Sequence, residues 1–208
     1  ETVTCTFTNT KRGQVLVDLV VTPSGDPQLF DFTLTGGPSA LSQAFQLKDQ
    51  DPSHASGYLL PGGGYAAASV ATPAGYYFTS ATCSDGSPVN GIQIEPGETV
   101  LCTFRFVKGG RLTIDKNTVP AGDPTSFSFS LTGGPSALNQ TTSLRHADPP
   151  YVTGWLKPGA GYRITETIVA GWDLSQLACT SSNGTSLFSI VGADPAPGLQ
   201  PGDNAAVV

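Results

Sequence analysis

The chain has 208 residues with 16 acidic and 10 basic side chains, and its net charge of −6 leaves no basic stripe for phosphates, which argues against a nucleic-acid partner. No apolar run is long enough to cross a membrane as a helix. The 25 Gly and 17 Pro fall between strand-like runs rather than in one tract, so they mark the turns of an all-β protein and not disorder. The length suits two domains of ordinary size. The lack of any Met, initiator included, is expected of a mature, processed product. Four Cys within strand-like text point to disulfides and an oxidising compartment, hence an extracellular or cell-surface location.

The first ten residues alternate strictly. Val3, Cys5, Phe7 and Asn9 share one face, and Thr2, Thr4, Thr6 and Thr8 share the other. Period two with β-branched residues predicts a strand with one buried face. Similar text returns as Glu98-Thr-Val-Leu-Cys-Thr-Phe-Arg-Phe106, where it closes a domain just before the linker Val107-Lys-Gly-Gly110. The leading strand is therefore expected to be displaced, a donor strand for another copy of the chain.

A repeat governs the rest. Leu34-Thr-Gly-Gly-Pro-Ser-Ala-Leu41 recurs unchanged as Leu131 to Leu138, an offset of 97. Gly25-Asp-Pro27 maps onto Gly122-Asp-Pro124, and Pro61-Gly-Gly-Gly-Tyr65 onto Pro158-Gly-Ala-Gly-Tyr162. Gly75-Tyr76 answers Gly171-Trp172 at an offset of 96. The expected organisation is a leading strand and linker over 1–13, a first β-sandwich repeat over 14–108, and a second over 109–208 that lacks its own last strand. In the first repeat the alternation predicts strands at Gln14–Val21, Gln28–Leu34, Ala44–Lys48, Tyr65–Ala71, Tyr76–Cys83, Gly91–Ile94 and Thr99–Val107. Breaks such as Pro23-Ser-Gly-Asp-Pro27 supply fixed φ, positive φ and no ladder donor. Short strands at regular intervals indicate two tandem Ig-like sandwiches.

In order along the chain, Cys5-Thr-Phe-Thr-Asn9, Leu112-Thr-Ile-Asp-Lys116, Leu156-Lys-Pro-Gly-Ala-Gly-Tyr162, Ile164-Thr-Glu166 and Gly171-Trp172 form a pattern. It resembles the Cna-B-type, prealbumin-like β-sandwich repeats of bacterial cell-surface and pilus proteins, over nearly the whole chain. The resemblance implies an extracellular stalk, pilus or adhesin module. It also implies a spontaneous isopeptide bond between a first-strand Lys and a last-strand Asn or Asp, assisted by a Glu.

The residues support that chemistry on their own terms. Lys116 shares its alternating face with Leu112 and Ile114, Glu166 with Tyr162 and Ile164, and Asn9 with Val3, Cys5 and Phe7. Three polar groups on buried faces are costly unless they meet. In a dry core an amine favours its neutral form and a carboxyl its protonated form. The amine could then attack the Asn amide carbon while the carboxyl polarises the amide oxygen and shuttles protons as ammonia leaves. The first repeat is an internal control: Leu19, Ser69 and Phe106 stand where Lys116, Glu166 and Asn9 would. The alternative is an ordinary ion pair between Lys116 and Glu166 with Asn9 in a turn.

The cysteines follow the same logic. Cys83 and Cys102 lie in one repeat, and a bridge between them would tie its last strands; their counterparts are Cys179 and Cys5. Cys5 is expected to pair with Cys179 of an adjacent chain, or the residues following in a longer repeat protein would supply the missing strand. Other candidates are weaker. Asn139-Gln-Thr141 and Asn183-Gly-Thr185 are glycosylation sequons that read as solvated loops. His54 and His146 do not align with each other and have no clustered Cys or carboxylate, so no metal is expected, and no cofactor. Asp26 and Asp123 sit in Gly-Asp-Pro turns and read as turn-stabilising. Tyr58, Trp155 and Trp172 read as sandwich core or corner residues rather than a sugar platform.

The sequence thus predicts a structural subunit of an extracellular bacterial filament or surface stalk. Its partners are copies of itself, joined head to tail by the donor strand with disulfide and isopeptide crosslinks. It is not an enzyme beyond that self-modification. The rival reading is a surface adhesin or carbohydrate-binding module of a longer repeat protein.

Overall fold

In the computed structural model, which describes residues 1–182 and 204–207, every regular element is a strand. The chain divides into two units. The first takes residues 1–73 and 78–106, the second residues 74–77 and 107–208.

The first unit is built from β1 (Gln14–Thr22), β2 (Phe30–Gly36), β3 (Leu41–Leu47), β4 (His54–Ala55), β5 (Gly62–Ser69), β6 (Tyr76–Cys83), β7 (Ile92–Ile94) and β8 (Thr99–Lys108). One sheet has the order β4-β1-β8-β6 and the other β3-β2-β5-β7. Alternation decides which face of each strand is buried. Val15, Val17, Leu19 and Val21 of β1 point inward, as do Phe30, Phe32 and Leu34 of β2 and Val100, Cys102, Phe104 and Phe106 of β8.

The second unit repeats this plan. Its strands are β9 (Arg111–Ile114), β10 (Phe127–Gly133), β11 (Leu138–Leu144), β12 (Tyr151–Val152), β13 (Tyr162–Glu166), β14 (Cys179–Ser181) and β15 (Asn204–Val207). Its sheets have the orders β12-β9-β15-β14 and β11-β10-β13. Leu112, Ile114, Phe127, Phe129, Leu131, Tyr162 and Ile164 form the core, with Trp172 packed partly buried against it.

The repeated octapeptide is a hairpin turn that clamps the next loop. Gly37 and Gly134 hold φ of 64° and 67°, and a Cβ at either would collide with the ring of Tyr65 or Tyr162. The Tyr65 hydroxyl donates to the Leu60 carbonyl (2.8 Å) and lies 2.9 Å from Ser39 Oγ. Tyr162 does the same with Lys157 (2.7 Å) and Ser136 (2.9 Å). The two recurring motifs are therefore one structural device, and they recur together because each supplies half of it.

Several expectations need correction. The second unit has a strand in the last-strand position: β15 runs parallel to β9, with Val207 opposite Ile114, and antiparallel to β14. Pro201-Gly-Asp203 stands where Pro96-Gly-Glu98 precedes β8, but at an offset of 105. A fixed offset of 97 looks instead at Ala193-Asp-Pro195, which no strand text follows, so the longer spacing hid the strand. Residues 1–12 carry no strand and are exposed, because an alternating segment gains its burial only when something covers its apolar face. β3 begins at Leu41, three residues before the expected Ala44, and the two-residue strands β4 and β12 were not anticipated. Tyr58 lies on the surface, 77% exposed, and Trp155 is 38% exposed, so neither is a core residue. Asn183 lies outside the described residues, and Asn139 is exposed on β11.

Candidate functional site

β9 and β13 deliver Lys116 and Glu166 to one place. Lys116 follows the end of β9, and Glu166 is the last residue of β13, held in register with Phe129. Lys116 Nζ lies 2.7 Å from Glu166 Oε1, with the two side chains only 14% and 20% exposed. The same ammonium sits 4.1 Å from the centre of the Phe127 ring, whose edge meets Trp172 at 5.3 Å. An amine and a carboxyl are thus held in contact on a largely apolar floor.

The pair opens into a cavity of about 520 Å³ whose wall includes Phe127, Phe129, Ile164, Val169, Trp172 and Leu174. The first unit shows what belongs in such a space. There Phe106 packs on Phe30 (4.7 Å between ring centres) and Phe78 (5.5 Å), and Phe104 packs on Phe32 (5.2 Å). The counterparts of Phe30, Phe32 and Phe78 are Phe127, Phe129 and Leu174, all of which line the cavity. The first unit carries none of the reactive groups: Leu19 is 3% exposed, Ser69 occupies the register of Glu166 opposite Phe32, and Phe106 is 2% exposed.

The remaining predicted residues are distributed as follows. Val3 and Phe7 are 77% and 89% exposed, and Cys5 and Asn9 are exposed with them; none of the four lines the cavity. Cys83 and Cys102 form a disulfide between β6 and β8, with Cα atoms 4.0 Å apart. Cys5 and Cys179 are free. Cys179 on β14 stands in register with Val207 of β15, the position that Cys102 holds in the first unit. Burial pushes the Cys179 thiol above its ordinary pKa. Among the described residues no cluster of His, Cys, Asp and Glu is arranged to hold a metal.

One pair of anchoring residues was missed. Asp49 accepts hydrogen bonds from the amides of Val21 (2.8 Å) and Gly25 (2.6 Å). His146 stands at the matching position and accepts the Thr118 amide at Nδ1 (2.9 Å). It therefore fixes the Asn117–Val119 wall of the cavity. Comparing each His with its own repeat counterpart, rather than His with His, would have found it.

Both units are sandwiches of one strand plan, and the second alone brings a Lys and a Glu together across its core. Residues 13–104 and 112–203 each match a SpaA-type family model described as a prealbumin-like fold domain, and the chain belongs to that family. No curated protein matches the sequence. Similar solved structures include the Bacillus anthracis TIE protein, at 16% identity and a TM-score of 0.38, covering 93% of this chain and 34% of that one. The major pilin (T-13) of Streptococcus pyogenes is similar at 14% identity and a TM-score of 0.32, covering 96% of this chain and 97% of that one. A streptococcal ancillary pilin is similar at 12% identity and a TM-score of 0.36, covering 95% and 63%.

Proposed function

We propose that the chain is a structural subunit of an extracellular filament or surface stalk. Residues 1–10 of one copy complete the second unit of the next. The observation that carries this is the cavity above Lys116 and Glu166. It is bounded by the counterparts of the residues that enclose Phe104 and Phe106, and the leading strand offers Phe7 and Asn9 at those two positions. Such a head-to-tail contact repeats without closing and gives a filament.

Docking sets up two covalent joints. Asn9 would enter beside Lys116 and Glu166. The Lys116 amine attacks the Asn9 amide carbon, a C–N bond forms, and the original amide nitrogen leaves as ammonia. Glu166 takes the proton from the amine and passes one to the leaving group. Contact between the groups supplies the rate through positioning. Cys5 would meet Cys179, and the two thiols become a disulfide by passing two hydrogens to an oxidised small-molecule disulfide. Burial of Val3 and Phe7 contributes roughly 3–6 kcal/mol, at about 1.5–3 kcal/mol per side chain, before either joint forms.

Boiled, reduced protein run on a denaturing gel tests the reading. A ladder of multimers, with a Lys116–Asn9 crosslinked peptide lighter by one ammonia, is the expected result. Only monomers, with Lys116 and Asn9 unmodified in assembled material, would remove the crosslink. Absence of any assembled material would remove the filament.

A further inference from the structure

In each unit one side chain ties the turn after β3 or β11 to the segment at the end of the first strand, and the two ties differ in chemistry. Asp49 Oδ1 accepts the Val21 amide (2.8 Å), and its Oδ2 accepts the Gly25 amide (2.6 Å) and the Ser24 hydroxyl (3.2 Å). His146 stands at the same repeat position and accepts, at Nδ1, the amide of Thr118, the counterpart of Val21 (2.9 Å). Ala121 stands where the first unit has Ser24, so that side-chain donor is missing. A carboxylate ordinarily keeps its acceptor oxygens free of protons down to about pH 4. An imidazole nitrogen accepts only while it carries no proton, and histidine ordinarily changes charge between about pH 5 and pH 8.

We propose that His146 is a proton-operated latch on the segment that carries Lys116: the neutral ring holds that segment in place, and the protonated ring releases it. The latch stands on the Thr118 contact alone, and its effect on crosslinking rests on the function proposed above.

Thr118 is only 6% exposed, so its amide has little water to turn to when the ring takes a proton. Protonation puts a hydrogen on Nδ1, and two donors then face each other where a bond had been. The ring itself is half-buried, so protons reach it in the folded chain. The Thr118 hydroxyl donates to the Pro120 carbonyl (2.9 Å), a bond within the same segment that does not tie it to the rest of the unit. The charged groups of the segments packed there are Arg145 and Asp148 on the turn of His146, Asp115 and Lys116 after β9, and Asp123 before β10. Asp148 accepts the Arg145 amide (2.7 Å), Asp115 the Lys116 amide (3.0 Å) and Asp123 the Thr125 amide (2.8 Å), while Lys116 pairs with Glu166 (2.7 Å). Among the described residues none of these groups bonds to the ring, so protonation gains no partner that would offset the lost contact. Lys116 lies two residues before Thr118, and release therefore loosens the backbone that positions its amine against Glu166. His146 is thus a positioning residue, acting through Thr118 and not on the reacting atoms.

Nuclear magnetic resonance of the full chain tests the latch at about pH 7.5 and about pH 5.5, on either side of the ordinary imidazole midpoint. At the higher pH the ring should carry its proton on Nε2 alone, and the Thr118 amide should be protected from hydrogen exchange. At the lower pH the Thr118 protection factor should fall about tenfold, the equivalent of one net hydrogen bond, while that of Val21 stays level. H146N supplies an acceptor that takes up no proton, so Thr118 should be equally protected at both pH values. Crosslinking assayed at the same two pH values should fall further in acid for the unaltered chain than for H146N, a comparison that cancels the direct effect of acid on the amine. A ring of fixed charge across this range, or a Thr118 protection factor that stays level while the ring titrates, overturns the latch and leaves the filament reading standing. An equal fall in crosslinking for both chains overturns the positioning role. A Thr118 amide that responds as expected in a chain that never crosslinks upholds the latch and removes the crosslink instead.

Discussion

At the scale of single residues, the second unit turns on one contact between Lys116 and Glu166. A carboxyl facing an ammonium in a mostly apolar setting stabilises the fold only while both are present. Glu166→Ala should therefore weaken the second unit by about 1–3 kcal/mol in urea unfolding and stop the Lys116–Asn9 crosslink. Asn9→Ala should stop the crosslink and leave the second unit's stability unchanged, since Asn9 lies outside the cavity of its own chain's structure. His54 makes a separate, pH-dependent contribution. Its ring stacks on Phe45 at 3.6 Å, with Nε2 3.1 Å from Gln43 Oε1, and burial holds its pKa below the ordinary value. The unfolded chain thus takes up the proton first as pH falls. The stabilisation is complete above the ordinary His pKa and is lost as pH falls toward the folded value. Melting curves between about pH 7 and pH 5 should show a smaller drop for His54→Gln than for the unaltered chain.

At the scale of elements, the two units differ in how their cysteines are used. β8 brings Val100, Cys102, Phe104 and Phe106 inward and is bonded to β6 through Cys83. The first unit is thereby closed by packing and a disulfide. Reduction should cost it about 2–4 kcal/mol, seen as a lower denaturant midpoint, with the second unit unchanged. Phe106→Ala should cost the first unit about 3–5 kcal/mol, because it opens there a space like the one the second unit already has. In the second unit Cys179 has no disulfide, and burial pushes its thiol up. Alkylation should therefore label exposed Cys5 well before Cys179 at neutral pH, with the Cys179 rate climbing as pH rises above the ordinary thiol range. Assembly should protect both.

At the scale of the whole molecule, the leading segment and the cavity of the second unit are similar in chemistry. Val3 and Phe7 are apolar side chains exposed to solvent, and Phe127, Phe129, Ile164, Val169, Trp172 and Leu174 give the cavity a largely apolar wall. Deleting residues 1–10 should leave both units folded, because no strand of either includes them, and should abolish ordered filaments by electron microscopy. Filaments of unchanged number and length after that deletion would exclude residues 1–10 as the joint.

Much of this was set by the sequence alone. Alternation in β1, β2 and β8 fixed which faces are buried, since a period-two pattern can satisfy burial in only one way. The repeated octapeptide and the repeated Pro-Gly-x-Gly-Tyr text marked two units, because each turn needs its partner's tyrosine. The inward placement of Lys116 and Glu166 was legible from their apolar neighbours two and four residues away. Only the tertiary structure decided the rest. That Lys116 and Glu166 touch depends on β9 and β13 lying in different sheets and facing across the core. That Asn204–Val207 takes the last-strand slot depends on a long-range pairing with β9, which text at a changed repeat offset does not announce. The cavity is invisible in one dimension for the same reason: its walls come from β10, β13 and the loop after it, which meet only when the sheets pack.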